Sequence, residues 1–145
     1  MPNTIPSSLQ GWHALIIDDE PDNVMVVQLV LEIHGLNVTT ATGGQEALDW
    51  LAQNPPPDFV LCDLSMPGVD GWKVIQTVRT TPKMVNLCVF ALTAHAMARD
   101  IERCLSAGFD AHFAKPIDPM KFVDQLARAI LNVPHLAPRL AGTVS

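Results

Sequence analysis

Short apolar stretches alternate with helix-length segments along this chain, and the alternation repeats five times. The stretches His13–Asp18 (HALIID), Leu36–Ala41 (LNVTTA), Asp58–Asp63 (DFVLCD), Asn86–Leu92 (NLCVFAL) and Asp110–Ala114 (DAHFA) have strand length. The first, third and fourth are almost continuously apolar instead of alternating. Strands of that kind are covered on both faces, as in a parallel sheet flanked by helices.

Helix signals fill the intervals. Asp22 or Asn23 can cap a first helix that runs to His34, with Gly35 where a C′ residue belongs. The segment GGQEALDWLAQ reads as a second helix, stopped by Asn54 and Pro55–Pro57. A third starts near Asp70 and ends before Pro82. The fourth carries Met97, Ile101 and Leu105 on one face, with Arg99, Asp100, Glu102 and Arg103 mostly away from it, and stops at Gly108. The last begins with Asp118 as N-cap and Pro119 at the first helical position, then buries Phe122, Val123, Leu126 and Ile130. Five βα units predict a doubly wound open α/β sheet with right-handed crossovers. The domain is expected over residues 12–132, between a flank at 1–11 and a proline-containing tail at 133–145.

Composition narrows the classes. With 48% hydrophobic residues and a formal charge of −6, the 145-residue chain is a globular domain and not a disordered segment. The negative balance argues against nucleic acid or an anionic membrane as direct partners. Cys62, Cys88 and Cys104 have no CxxC spacing, which disfavours a disulfide framework and a zinc ribbon and fits the cytoplasm. The first residues, MPNTIPSSLQGW, lack the basic and apolar regions of a secretion signal, and no apolar run reaches membrane-spanning length.

In open α/β sheets, ligands bind beyond the carboxyl ends of the strands, so the residues that end strands carry the chemistry. The first strand ends in Asp18-Asp19-Glu20, the third in Asp63, the fourth in Thr93 and the fifth in Lys115-Pro116. Asp18, Asp19 and Asp63 crowd carboxylates whose mutual repulsion a bound cation would relieve. Hard oxygen ligands that leave room for water suit Mg²⁺. Lys115 and the Thr93 hydroxyl can bind an anion between them. Together these are the parts of a phosphoryl-transfer site.

The spans LIIDDE, LCDLSMPGVDGW, ALTAHAM and AGFDAHFAKPI resemble those of the response-regulator receiver domains of two-component signalling. The resemblance covers nearly all of residues 12–132 and implies a flavodoxin-like sheet with strand order 2-1-3-4-5. It implies that Asp63 accepts a phosphoryl group from a histidine kinase or a histidine phosphotransfer protein. It further implies that Asp18, Asp19, Asp63 and the main-chain carbonyl of Ser65 organise Mg²⁺, that Thr93 and Lys115 bind phosphoryl oxygens, and that the Lys115–Pro116 bond is cis. Ser65 and His95 stand at positions expected to tune phosphate lifetime. His112 stands at the switch position, where an imidazole can donate, accept or carry charge. Output is expected through a protein partner at the face of the fourth helix, fifth strand and fifth helix, which can also pair two copies of the chain. Such a domain accepts phosphate and promotes its own phosphorylation and dephosphorylation, without being an enzyme in the ordinary sense.

Smaller features have simpler readings. Cys62 is expected to pack in the core, and the three tryptophans to anchor the core or an interface. The first helix is apolar beyond one face, which fits deep packing or a docking surface equally. One rival is a receiver belonging to a hybrid histidine kinase. Another is a Mg²⁺-dependent phosphatase of haloacid dehalogenase type, which needs a second Asp two residues after its nucleophile, where this chain has Ser65.

Overall fold

The computed structural model describes residues 9–94 and 97–141. Strands β1 (His13–Ile17), β2 (Asn37–Ala41), β3 (Phe59–Asp63), β4 (Val89–Thr93) and β5 (Ala111–Ala114) alternate with α1 (Pro21–Ile33), α2 (Gly44–Gln53), α3 (Gly71–Thr80), α4 (Ala98–Ala107) and α5 (Phe122–Leu131), and α6 (Ala137–Ala141) follows. All strand pairings are parallel, in the order β2-β1-β3-β4-β5. The winding direction reverses between β1 and β3, which places a crevice at the carboxyl ends of those two strands.

Successive strand residues face opposite sides of the sheet, and the continuous apolar runs therefore feed two cores. Ala14 and Ile16, Phe59 and Leu61, and Phe90 and Leu92 pack with α1 and α5. Leu15 and Ile17, Val60 and Cys62, and Val89 and Ala91 pack on the other side with α2, α3 and α4. Alternating strands in the centre would have left one face wet. This register also aligns the strand ends. Ile17 pairs with Cys62 and Thr93 with Ala114, so Asp18, Asp63, Thr93 and Lys115 emerge along one edge.

The helix starts differ in two places from the sequence expectation. Pro21 takes the first position of α1 after Glu20, as a residue lacking an N–H can. Asn23, freed from capping, donates from its amide to Glu20 Oε1 at 3.0 Å. Ahead of α5, Asp118 Oδ1 accepts the Met120 N–H at 2.9 Å, and the Asp118 carbonyl accepts the N–H groups of Lys121 and Phe122. That local bonding makes residues 118–121 a turn and delays the helix to Phe122.

The segment expected as a flanking tail is packed over its described part. Val133, Leu136 and Leu140 are buried in the α1/α5 core together with Leu9 and Trp12. The Arg139 guanidinium lies 4.3 Å over the Trp12 ring and its Nη1 is 2.7 Å from Asp58 Oδ1. Asp58 Oδ2 in turn accepts the His13 N–H at 2.7 Å. The tail thus ties the starts of β1 and β3 together at the end of the sheet opposite the acidic edge. Pro134 and Pro138 masked the helical spacing of its apolar residues in the sequence.

Leu140→Ala is therefore expected to lower unfolding stability by about 2–5 kcal/mol, the range for truncating a buried leucine. Urea unfolding monitored by circular dichroism measures this. A loss within experimental error would place residues 133–141 outside the cooperative core.

Candidate functional site

Among the described residues, the buried polar side chains are Asp18, Asp63 and Thr93, and each ends a strand or directly follows one at the same edge. Lys115 reaches across this edge from the end of β5. Its Nζ lies 3.2 Å from Asp18 Oδ2, 3.2 Å from Asp63 Oδ1 and 3.4 Å from Glu20 Oε1. The Lys115 N–H is fixed on the Thr93 carbonyl at 2.8 Å, and the Lys115–Pro116 bond is cis, as expected.

Backbone donors orient the carboxylates. Asp18 Oδ1 accepts the Glu20 N–H at 2.9 Å, and Asp63 Oδ1 accepts the Ser65 N–H at 3.2 Å. Asp63 Oδ2 is buried and accepts no hydrogen bond, and the buried Asp18 Oδ2 has the Lys115 ammonium as its partner at 3.2 Å. The start of α3 closes on the same place. A Cβ at Gly71 would stand 2.4 Å from the Asp63 carbonyl oxygen, so only glycine lets the helix come this near.

The electrostatics follow from this geometry. Carboxylate oxygens of Asp18, Glu20 and Asp63 lie within 4.8 Å of one another. One ammonium offsets three such charges only in part. Burial, reinforced by the Asp18 charge, pushes the Asp63 carboxyl up to about 6, although Lys115 and the Ser65 N–H pull it down. Burial opposes the charge on Lys115, but Asp18 and Asp63 outweigh it and hold the ammonium above the usual lysine range. Unsatisfied, hard oxygen donors beside an excess of negative charge fit a divalent cation of the Mg²⁺ type.

The residues expected from sequence are placed as follows. Asp18, Asp63, Thr93 and Lys115 converge. Asp19 is half-buried and stands outside the tight carboxylate group, where it lines a cavity of about 310 Å³ with Asp18, Met25, Gln28, Thr40 and Thr42. Ser65 is exposed next to Asp63, and His112 is half-buried on β5 opposite Ala91. His95 lies outside the described residues. Glu20, the third residue of the acidic turn after β1, belongs to the cluster, although its sequence position gives no sign of that. Cys62 is buried, and burial together with the Asp63 charge holds its thiol far above the usual range, as suits packing and not reactivity.

The Asp63 carboxyl is more easily protonated in the folded protein than in the unfolded chain, where it titrates near 4. Its ionisation therefore costs stability, and the cost grows as pH rises from about 4 to about 6. Asp63→Asn is expected to be more stable than the wild type by about 1–3 kcal/mol above pH 7 without divalent cation. The gap should close as pH falls toward 4 and shrink when Mg²⁺ is added. Chemical denaturation across pH tests this, and a variant no more stable than the wild type at neutral pH would contradict the charge excess.

Residues 14–127 match the family model described as response regulator receiver domain. The chain is 35% identical over 127 residues to an uncharacterized 14.6 kDa protein in the sodA1 3′ region of Leptolyngbya boryana, covering 88% of this chain and 96% of that one. It is 36% identical over 137 residues to the sensor protein GacS of Pseudomonas syringae pv. syringae, covering 92% of this chain but only 15% of GacS. Among solved structures, the chemotaxis response regulator CheY4 of Vibrio cholerae superposes with a TM-score of 0.76 at 25% identity, over 83% of this chain and 99% of that one. With its five-stranded topology and its acidic edge, the chain belongs to the family of response regulator receiver domains.

Proposed function

We propose that Asp63 is the phosphoryl acceptor of a phosphorelay switch, supplied by a histidine kinase or a histidine phosphotransfer protein. The observation that carries this reading is the asymmetry of the Asp63 carboxylate. One oxygen is oriented by Ser65 and Lys115, and the other is buried without a hydrogen bond. A carboxylate oxygen attacks the phosphorus of a donor phosphohistidine. The P–N bond breaks, the imidazole nitrogen leaves with the electron pair and takes a proton from solvent, and an acyl phosphate forms on Asp63. Lys115 and the Thr93 hydroxyl receive the phosphoryl oxygens, a matter of positioning and charge neutralisation more than of covalent chemistry.

Asp18, Asp63 and the Ser65 carbonyl, with Asp19 from the adjoining cavity, are the residues that would hold Mg²⁺, and Glu20 adds its charge to the same carboxylate cluster. When bound, the ion supplies the positive charge that lets a dianionic phosphoryl group approach an ionised aspartate. Ser65 and His95, by their positions in the sequence two residues after Asp63 and Thr93, set the lifetime of the acyl phosphate. As Thr93 is drawn to the phosphoryl group, the His112 side chain follows it and the face of α4, β5 and α5 changes its affinity for a protein partner or a second copy. On that face Met97 and Leu105 are exposed, contrary to the usual fate of an apolar row, while Cys104 takes the inward position of α4. Trp72 stacks under Arg103 at 3.9 Å and against Phe109, so its fluorescence reports movement of α4.

The outer face of α1 fits the donor. Met25, Leu29 and Ile33 recur every fourth residue and are exposed, in a row that starts at Met25 beside Asp18 and Asp19 and runs away from the acidic edge, while Val27, Val30 and Leu31 face the core. A row of this kind suits the helix of a phosphotransfer protein. The chain acts in the cytoplasm and needs no direct contact with nucleic acid or membrane. No helix among the described residues is long and apolar enough to cross a bilayer. The identity to GacS favours one second reading, in which the same switch serves as the receiver of a hybrid kinase.

Incubation with a small acyl-phosphate donor and Mg²⁺ is expected to add one phosphoryl group to the wild type and none to Asp63→Asn. Intact-mass spectrometry followed by peptide mapping reads the outcome. Equal labelling of the variant, or labelling at a histidine, would refute Asp63 as acceptor.

A further inference from the structure

Glu20 sits in the acidic turn after β1 and differs in kind from its two neighbours in the cluster. Its side chain is 62% exposed, against 1% for Asp18 and 4% for Asp63. Its Oε1 is steadied by the Asn23 amide at 3.0 Å and lies 3.4 Å from Lys115 Nζ. Of the three carboxylates that share the ammonium, two are fixed by the fold and one can leave into water.

We propose that Glu20 is a positioning residue for Lys115, holding a share of the ammonium while Asp63 is bare and releasing it when a phosphoryl group arrives. The inference rests on Asp63 being the acceptor. With an acyl-phosphate donor, an Asp63 oxygen attacks phosphorus, the P–O bond to the acyl group breaks, and the acyl carboxylate leaves with the electron pair. The new group on Asp63 carries more negative charge than the carboxylate it replaces. Lys115 then has a stronger partner on the Asp63 side, and Glu20 faces a like charge at close range. Because it is exposed, Glu20 can swing away at small cost, but its charge opposes the incoming anion until it does.

Toward a divalent cation the sign is opposite, since Glu20 adds negative charge at the mouth of the site. The two roles give Glu20→Gln a signature that a packing role lacks. Mg²⁺ binding to the unphosphorylated protein should weaken about two- to fivefold, the size expected of one exposed charge pair. At saturating Mg²⁺, the acetyl phosphate concentration for half-maximal labelling of Asp63 should fall about two- to fivefold. Both differences should shrink toward unity in about 1 M salt, where screening acts within a few ångströms. Glu20→Asp, which keeps the charge, should stay close to the wild type in Mg²⁺ affinity.

Calorimetric titration with Mg²⁺ and a labelling series with acetyl phosphate, each at low and high salt, test the proposal. Opposite, salt-sensitive shifts in Glu20→Gln support it. Shifts in the same direction, shifts that ignore salt, or no shift at low salt overturn it. If the wild type takes no phosphoryl group on Asp63, the acceptor reading fails and the inference with it. If the wild type is labelled and Glu20→Gln matches it, only the inference fails.

Discussion

One ammonium has to answer for three carboxylates at the edge where β1, β3 and β5 end. Lys115 stands within 3.4 Å of Asp18, Glu20 and Asp63, and Asp63 Oδ2 there remains buried without a hydrogen bond. A site left in that condition is poised to take positive charge and to exchange one anion for another. Burial raises the energy of the ionised Asp63 carboxylate, so whatever stabilises its charge also favours the ionised form that the proposed acceptor role requires. The rest of the molecule can be understood as the apparatus that keeps this imbalance in place.

The apparatus begins with the two-sided core. Residues of β1, β3 and β4 alternate between the α1/α5 layer and the α2/α3/α4 layer, which holds the three strands in register without a wet face. Parallel pairing then brings their carboxyl ends to one line. The backbone N–H groups of Glu20 and Ser65 orient the two aspartates, and the close approach at Gly71 seals the floor under Asp63. At the far end of the sheet, Arg139, Trp12 and Asp58 bind the tail to the starts of the same strands. The acidic edge costs stability, and the tail adds apolar burial well away from it.

Much of this was legible in the chain. The continuous apolar runs announced a sheet covered on both faces, and the strand-ending residues pointed to the acidic edge before any contact was known. Asp63, Asp18, Thr93 and Lys115 could be found because each ends or follows a strand, a position set by local pattern. Glu20 follows the same strand as Asp18, but its place in the cluster could not be read that way, because it depends on where a long exposed side chain meets a lysine 95 residues later. Asp19 shows the converse, since adjacency in sequence to Asp18 does not bring its carboxylate into the same group. Packing of the tail was not legible in its short, proline-containing sequence, because its burial rests on Trp12 and Leu9, more than a hundred residues earlier. Exposure of the outer rows of α1 and α4 was likewise undecidable from periodicity, which identifies an apolar face but not what covers it.

Asp63 is held in a pocket short of positive charge. The most direct measurement is the titration of its carboxyl carbon by NMR in the protein without divalent cation, from about pH 4 to about pH 8, repeated with Mg²⁺. The midpoint is expected near 6 without the cation and clearly lower when Mg²⁺ is present. A midpoint near 4, the ordinary value for an aspartate, that Mg²⁺ does not move would contradict it.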